Sequence, residues 1–260
     1  MALLVAGTVA LTPAGGLALD PGGTFQDDNG SVHEATIEAI AAAGITYGCN
    51  PPVDDRFCPT RPVTRAEMAS FLVRALDLPA AGSAGFTDTT DSLHAASIDA
   101  IAAAGITYGC NPPDNDRYCP DQAVTREQMA SFLVRVLHLP ASGDAGFVDT
   151  TGSVHAADID AIAAAGITYG CNPPDNDRYC PRDAVTREQM ASFLSRGLHL
   201  DPIVPPPPLP AVSPSTYVHI GTDNWLYLRD TIDEACFPTS VYDRVAEELA
   251  KVEAVVTASG

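Results

Sequence analysis

Apolar residues between positions 25 and 200 recur with two helical spacings, and both patterns return three times. In Ala95 to Ala104, the side chains of Ile98, Ile101 and Ala102 stand three and four positions apart. They line one face of a short helix, and Gly105 follows where a C-cap belongs. Met129, Phe132, Leu133 and Leu137 make a second apolar face, which Pro140 brings to an end. Between these faces Ile106 to Asp121 has no period and carries Gly109, Pro112, Pro113 and Pro120, so it is a loop. The predicted unit is helix, loop, helix.

The second helix has a complete start signal. Thr125 suits the N-cap and Gln128 stands three residues on, the capping-box arrangement, with Val124 and Met129 at the positions of a hydrophobic staple. The same device recurs at Val63 to Met68 and Val185 to Met190. Phe25, Phe86 and Phe147 each open a copy of one unit 61 residues long. Self-similarity at a fixed period marks a repeat architecture, in which each unit hides its apolar face against its neighbours. The expected class is mainly α, with an alanine-rich core holding few large side chains.

Charge narrows the function. The net charge of -19 comes with 13 arginines and one lysine, Lys251. Such a surface repels phosphate backbones and argues against a nucleic-acid partner. With Pro13, Gly15 and Gly16 counted as breakers, no apolar run is long enough for a membrane span. Residues 2 to 11 read as the apolar core of a secretory signal within 1–19, whose basic leading region is missing; a disordered apolar N-terminus is the alternative.

The cysteines point to the same compartment. Cys49 and Cys58, Cys110 and Cys119, and Cys171 and Cys180 keep one spacing in all three copies, with Cys236 alone. In an oxidising compartment, an intra-repeat disulfide closing each loop stabilises by about 2.5 to 3 kcal/mol in the loop-closure model. The competing reading is a metal loop, since carboxylates such as Asp114 and Asp116 lie between the cysteines. Structural zinc wants four ligands, with cysteines closer together, and a calcium loop would alternate oxygen ligands up to a terminal Glu. Neither pattern is present, so no metal and no cofactor are expected.

The run F-x-D, then H-A-x-x-I-x-x-I-x-x-x-G-I, then a Gly/Pro/Asp loop, then C-P-x-x-x-V-T-R-E-Q-M-A-S-F-L resembles the surface-layer homology repeat. Thr64 to Glu67 matches that family's T-R-A-E, and the other copies read T-R-E-Q. The family's His-Trp pair is His-Ala at His94 and His155 and His-Glu at His33, and a cysteine-bracketed loop replaces its G-Y-x-D-G-x-F. The resemblance implies three repeats, at 25–78, 86–139 and 147–200, in a pseudo-threefold array. It also implies a secreted or cell-surface location, an anionic and often pyruvate-bearing cell-wall polysaccharide as partner, and the arginine of the motif as a central contact.

Position agrees that these arginines need an anion. Arg65, Arg126 and Arg187 occupy the first helical residue, where the helix dipole disfavours a cation. Two partners stay open: an internal ion pair with Asp27, Asp88 or Asp149 of F-x-D, or with Asp91 in copy two, and a bound carboxylate or phosphate gripped by guanidinium and free helix amides together. The candidate ligand site is therefore Arg65, Arg126, Arg187, Asp27, Asp88 and Asp149. His33, His94 and His155 read as packing or capping residues. Arg74, Arg135 and Arg196 suit helix C-termini, and Tyr47, Tyr108 and Tyr169 are expected to pack beneath the loops, with stacking on sugar rings as the alternative.

Residues 201–214 form a proline-rich linker, a stiff extended spacer. Val218 to Leu228 reads as strand, turn, strand, and Ser240 to Val256 as a helix. The string Gly221 to Leu228, the following Cys236 and that helix resemble the opening of the alginate O-acetyltransferase family, an SGNH-hydrolase-like fold. The resemblance makes 215–260 the N-terminal fragment of such a domain, with its catalytic serine, Asp and His beyond this chain. No catalytic set is expected here. The function expected is wall anchoring; a targeting module for a polysaccharide O-acetyltransferase or deacetylase, and a surface-layer structural protein, are the alternatives.

Overall fold

The computed structural model describes residues 22–206, 217–220 and 224–227. Each copy supplies two helices: α1 (Glu34–Ala42) and α2 (Arg65–Leu76), α3 (Ala95–Ala103) and α4 (Arg126–Leu137), α5 (Ala156–Ala164) and α6 (Arg187–Gly197). The mainly α fold is the one observed. Gly44, Gly105 and Gly166 end the first helix of each copy at φ near +70°, which only glycine adopts without strain. The capping box closes the start of α2, α4 and α6 in all three copies.

Helix packing runs from copy to copy. α2 packs on α3, α4 on α5, and α6 returns to pack on α1, so the array closes into a ring. At its centre three valines form a cycle of backbone hydrogen bonds. Val124 N–H donates to Val63 C=O, Val185 to Val124, and Val63 to Val185, each at 2.9 Å. Single antiparallel bridges join Thr64 to Ala123, Thr125 to Ala184 and Pro62 to Thr186. The pseudo-threefold ring has no end repeat.

The core is larger in side chain than composition implied. Ile37, Ile40 and Ile45 with Met68, Phe71 and Leu72 are buried in copy one, and the equivalent residues are buried in the other two. Alanine is abundant because helices sharing a short ring must approach closely. The isoleucines, methionines and phenylalanines supply most of the burial energy, about 1.5 to 3 kcal/mol each.

Disulfides join Cys49 to Cys58, Cys110 to Cys119 and Cys171 to Cys180, so the metal-loop alternative has lost its thiolates. The F-x-D aspartates clamp the same loops. Asp88 accepts from the amides of Tyr118 at 2.8 Å and Cys119 at 2.9 Å, and Asp27 and Asp149 do the same in their copies.

Residues 217–220 and 224–227 belong to a second unit, separate from the three copies. There β1 (Tyr217–Ile220) pairs antiparallel with β2 (Asn224–Tyr227), Val218 opposite Leu226. Of the stretch read as a linker, residues 201–206 run along copy one, where Ile203 N–H reaches Ala35 C=O at 2.9 Å. The apolar leader 1–19, Cys236 and the helix expected at 240–256 lie outside the described residues. Among the described residues, no helix is long and apolar enough to cross a membrane.

The clamp makes a pH-dependent prediction. Burial alone would raise the Asp88 carboxyl, but the amides of Tyr118 and Cys119 outweigh it, with help from Arg117, and hold it below the ordinary 3.8. A depressed folded-state value means that the stabilisation is complete above the unfolded value and is lost as pH falls through the folded one. Asp88→Asn, which turns a donor toward one of two amides, costs about 1 to 3 kcal/mol in urea unfolding at pH 6. The gap from wild type narrows as pH falls below the ordinary carboxylate value and through the depressed folded one; a gap independent of pH would contradict the clamp.

Candidate functional site

Arg65, Arg126 and Arg187 are 4%, 5% and 1% exposed. Each reaches into the cysteine loop of the next copy round the ring. Nε of Arg65 donates to Tyr118 C=O at 2.8 Å and Nη2 to Gly109 C=O at 3.3 Å. Arg126 makes the same pair of bonds with Tyr179 and Gly170, and Arg187 with Phe57 and Gly48. Two aromatic rings flank each guanidinium, Tyr118 and Phe132 for Arg65 at 4.7 and 5.6 Å.

The internal ion pair with Asp27, Asp88 or Asp149, one of the two alternatives, is not formed; those carboxylates accept from loop amides, and Asp88 also pairs with Arg117 at 3.5 Å. Among the described residues, the triad's one ion pair is Arg187 with Glu67 at 4.0 Å. Burial lowers all three arginines, and Arg187 falls to about 10, opposed by Glu67. All remain protonated at neutral pH, held by carbonyl dipoles and ring faces.

The helix amides expected to share a ligand with these arginines are also taken. Arg65 N–H donates to Gln122 C=O at 2.8 Å and Ala66 N–H to Pro120 C=O at 3.0 Å, both in the next copy. The third amide, Glu67 N–H, goes to the Thr64 hydroxyl. The same set recurs at α4 and α6. A helix N-terminus has unsatisfied donors only where nothing folds against it, and here the neighbouring copy does.

The other repeated residues also face across the seams. Nδ1 of His33, His94 and His155 lies 2.8, 2.7 and 2.7 Å from the hydroxyls of Ser192, Ser70 and Ser131, so the histidines tie copies together and make no side-chain cap. Burial lowers the His33 imidazole; Glu188 opposes this and Arg196 adds to it, leaving the ring neutral at pH 7. Tyr47, Tyr108 and Tyr169 are 61 to 63% exposed and do not pack beneath the loops. The guanidinium of Arg74, Arg135 or Arg196 stacks on each at 5.0 Å, and the aromatic under each loop is instead Phe57, Tyr118 or Tyr179.

Three grooves lie between the copies, two at equivalent places in the repeat and one elsewhere. The groove where α2 meets α3, about 560 Å³, is lined by Glu67, Asp88, Asp91 and Asp121, with no cation. That between α4 and α5, about 530 Å³, mixes Glu127, Asp149 and Asp183 with Arg178 and Arg182. A third, about 440 Å³, draws on all three copies: Arg126 from the second, Tyr169, Gln189 and Arg196 from the third, and His33 from the first, with Asp183 as its acid. Of the six candidate residues, Arg126 lines the third groove, Asp88 the first and Asp149 the second, and no groove brings the six together. Val32, Leu93 and Val154, passed over in the sequence, stand 94%, 100% and 92% exposed on the rims. Their one signal is the recurrence of a large apolar residue immediately before each histidine.

No family model matches the chain. It is 27% identical over 176 residues to a surface-layer 125 kDa protein of Lysinibacillus sphaericus, covering 66% of this chain and 14% of that protein. It is 28% identical over 198 residues to exoglucanase XynX of Acetivibrio thermocellus, covering 72% and 17%, and 28% identical over 181 residues to an amylopullulanase of Thermoanaerobacterium thermosulfurigenes, covering 66% and 9%. The chain thus spans between 9% and 17% of the length of these curated relatives.

Burial of the arginines sets their mutational cost. Arg126→Gln strands two carbonyls and empties the space between two rings, so it lowers unfolding free energy by about 3 to 5 kcal/mol, whereas exposed Arg178→Gln stays within about 0.5 kcal/mol. The seam at copy one offers the opposite test. Tyr118 and Tyr179 donate their hydroxyls to Arg65 C=O and Arg126 C=O, at 2.7 and 2.6 Å, and Phe57 has no hydroxyl to give Arg187. Phe57→Tyr is expected to stabilise by about 1 kcal/mol in the same urea measurement.

Proposed function

We propose that 25–78, 86–139 and 147–200 are surface-layer homology repeats that anchor an exported protein non-covalently to the cell wall, and that the ligand is an anionic wall polysaccharide. The observation that carries this reading is the groove shared by all three copies. In a chain of net charge -19 it offers Arg126 and Arg196 against one acid, Asp183, with the half-exposed Tyr169 ring and Gln189 beside them. An anionic polymer is repelled by the all-acid groove between α2 and α3 and is directed to this one. Arg126 serves the ligand as a fixed charge in the groove wall, with Nε and Nη2 already given to Tyr179 and Gly170.

The relatives support an attachable module. One region of this chain is similar to parts of a surface-layer protein and of two differently named enzymes, and in each it covers a small share. A segment with its own closed ring and core can be joined to unlike partners without depending on them. The targeting of a polysaccharide O-acetyltransferase or deacetylase is the second reading, favoured by the pairing of β1 with β2 in the stretch that resembles that family's opening.

Co-sedimentation of the full chain with purified wall sacculi tests the proposal. Binding is expected to intact sacculi, to fall as salt is raised, and to vanish with sacculi stripped of their polysaccharide. Tyr169→Ala removes the exposed ring from the groove, weakening binding by about tenfold, equivalent to about 1.4 kcal/mol, at unchanged melting temperature; Asp183→Asn strengthens it. Equal binding to stripped sacculi, or indifference to both changes, would overturn the assignment.

A further inference from the structure

Copy one also departs from the other two in its buried carboxylates. Where they carry Thr89 and Thr150 it has Asp28, and where they carry Asp99 and Asp160 it has Glu38. The threonine hydroxyls are satisfied locally, on Phe86 C=O and Phe147 C=O at 3.2 Å. Asp99 and Asp160 are half-buried, and each accepts from one loop amide, Ala84 N–H at 2.8 Å and Ala145 N–H at 3.0 Å. Asp28 and Glu38 are each 1% exposed.

The two carboxylates differ in what they have. Glu38 Oε1 accepts from Thr24 N–H at 2.7 Å and Oε2 from the Thr24 hydroxyl at 2.6 Å. Both oxygens of Asp28 are buried without a partner, the only such side-chain atoms among the described residues. The three ion pairs among the described residues involve neither group. Burial first, then the charge of Glu38 and more weakly those of Glu34 and Asp27, push the Asp28 carboxyl up to about 7; its own amide alone acts the other way. The backbone closes over Glu38: Gly23, at φ +75°, passes so near that a Cβ there would lie 2.3 Å from Glu38 Oε1.

A desolvated carboxylate beside a second one takes up a proton or a cation. Here the free donors are oxygens alone, two of them carrying no hydrogen bond, and no arginine or lysine pairs with them. Oxygen-only carboxylate sites suit hard divalent ions, which complete their shell with backbone carbonyls and water. We infer that Asp28 and Glu38 hold one divalent cation of the calcium type in copy one, where it ties the entering Gly22 to Thr24 segment and the loop at Asp28 to α1. Copies two and three, with threonine at the matching position, hold none. The inference is independent of what the grooves bind.

The test is calorimetric titration of the full chain, stripped with EDTA, with calcium chloride at pH 7.5, paired with thermal melts. The expected result is one calcium per chain and a rise in Tm of about 5 to 10 °C at calcium a hundredfold above its Kd. Asp28→Thr, which installs the residue the other copies fold with, is expected to abolish both while melting at or above the stripped wild type. Wild-type protein that binds no stoichiometric calcium would overturn the proposal and leave a proton as the occupant. Binding and shift retained in Asp28→Thr would overturn it as well, by assigning the calcium to surface acids. If Asp28→Thr fails to fold, the wild-type stoichiometry and its loss in Glu38→Gln decide the matter.

Discussion

The first two amides of α2, α4 and α6 have no acceptor inside their own helix, and the copy that owns them offers none. The next copy does, through the carbonyls that follow its second cysteine: Gln122 and Pro120 for α2, Asp183 and Pro181 for α4, Arg61 and Pro59 for α6. The arginine that starts each helix goes the same way, to two further carbonyls of that loop. Every copy is therefore a donor to one neighbour and an acceptor from the other. A chain of such units with a free end would leave an arginine and two amides to water and the apolar surface beside them uncovered. Three units remove the end by closing on themselves, and the valine cycle at the centre marks the closure. The disulfides and F-x-D clamps serve this contact, since both hold the acceptor loop in shape.

Closure also shapes what the molecule can offer a ligand. The ring takes the first helix amides and the Nε and Nη2 donors of each arginine, and it leaves grooves between copies. The groove between α2 and α3 and that between α4 and α5 occupy equivalent places and differ in side chain, whereas the third lies at a different place in the repeat. Aspartates and Glu67 fill the one between α2 and α3, whereas the groove holding Arg126 and Arg196 is poor in acid. Of these three grooves the last holds the fewest acids. Copy one bears the other departures: Glu67 in the capping box, Phe57 under the loop, and Asp28 with Glu38 in its core.

Local signals were legible wherever one short stretch carried the whole cause. Thr125 with Gln128 announced the capping box, Gly105 the helix stop, and the recurring Cys110 and Cys119 the stapled loop. The role of Arg126 was not legible, because its acceptors Tyr179 and Gly170 are 53 and 44 residues away and in another copy. Its position at a helix start correctly signalled a cation in need of partners, and an anion was the natural guess; carbonyls and ring faces carry no charge for sequence reasoning to count. Asp28 escaped notice for a related reason, since a lone aspartate in a loop reads as solvated until burial is known.

Native-state hydrogen exchange of the three central amides, Val63, Val124 and Val185, tests ring closure most directly. In a closed ring none of these bonds opens unless the whole array does, so all three exchange together at the free energy of global unfolding. An open array of nearest-neighbour units would fray from an end, and one of these valines would exchange markedly faster than the other two. Equal, globally limited protection is the predicted result. A graded series along the chain would contradict the account.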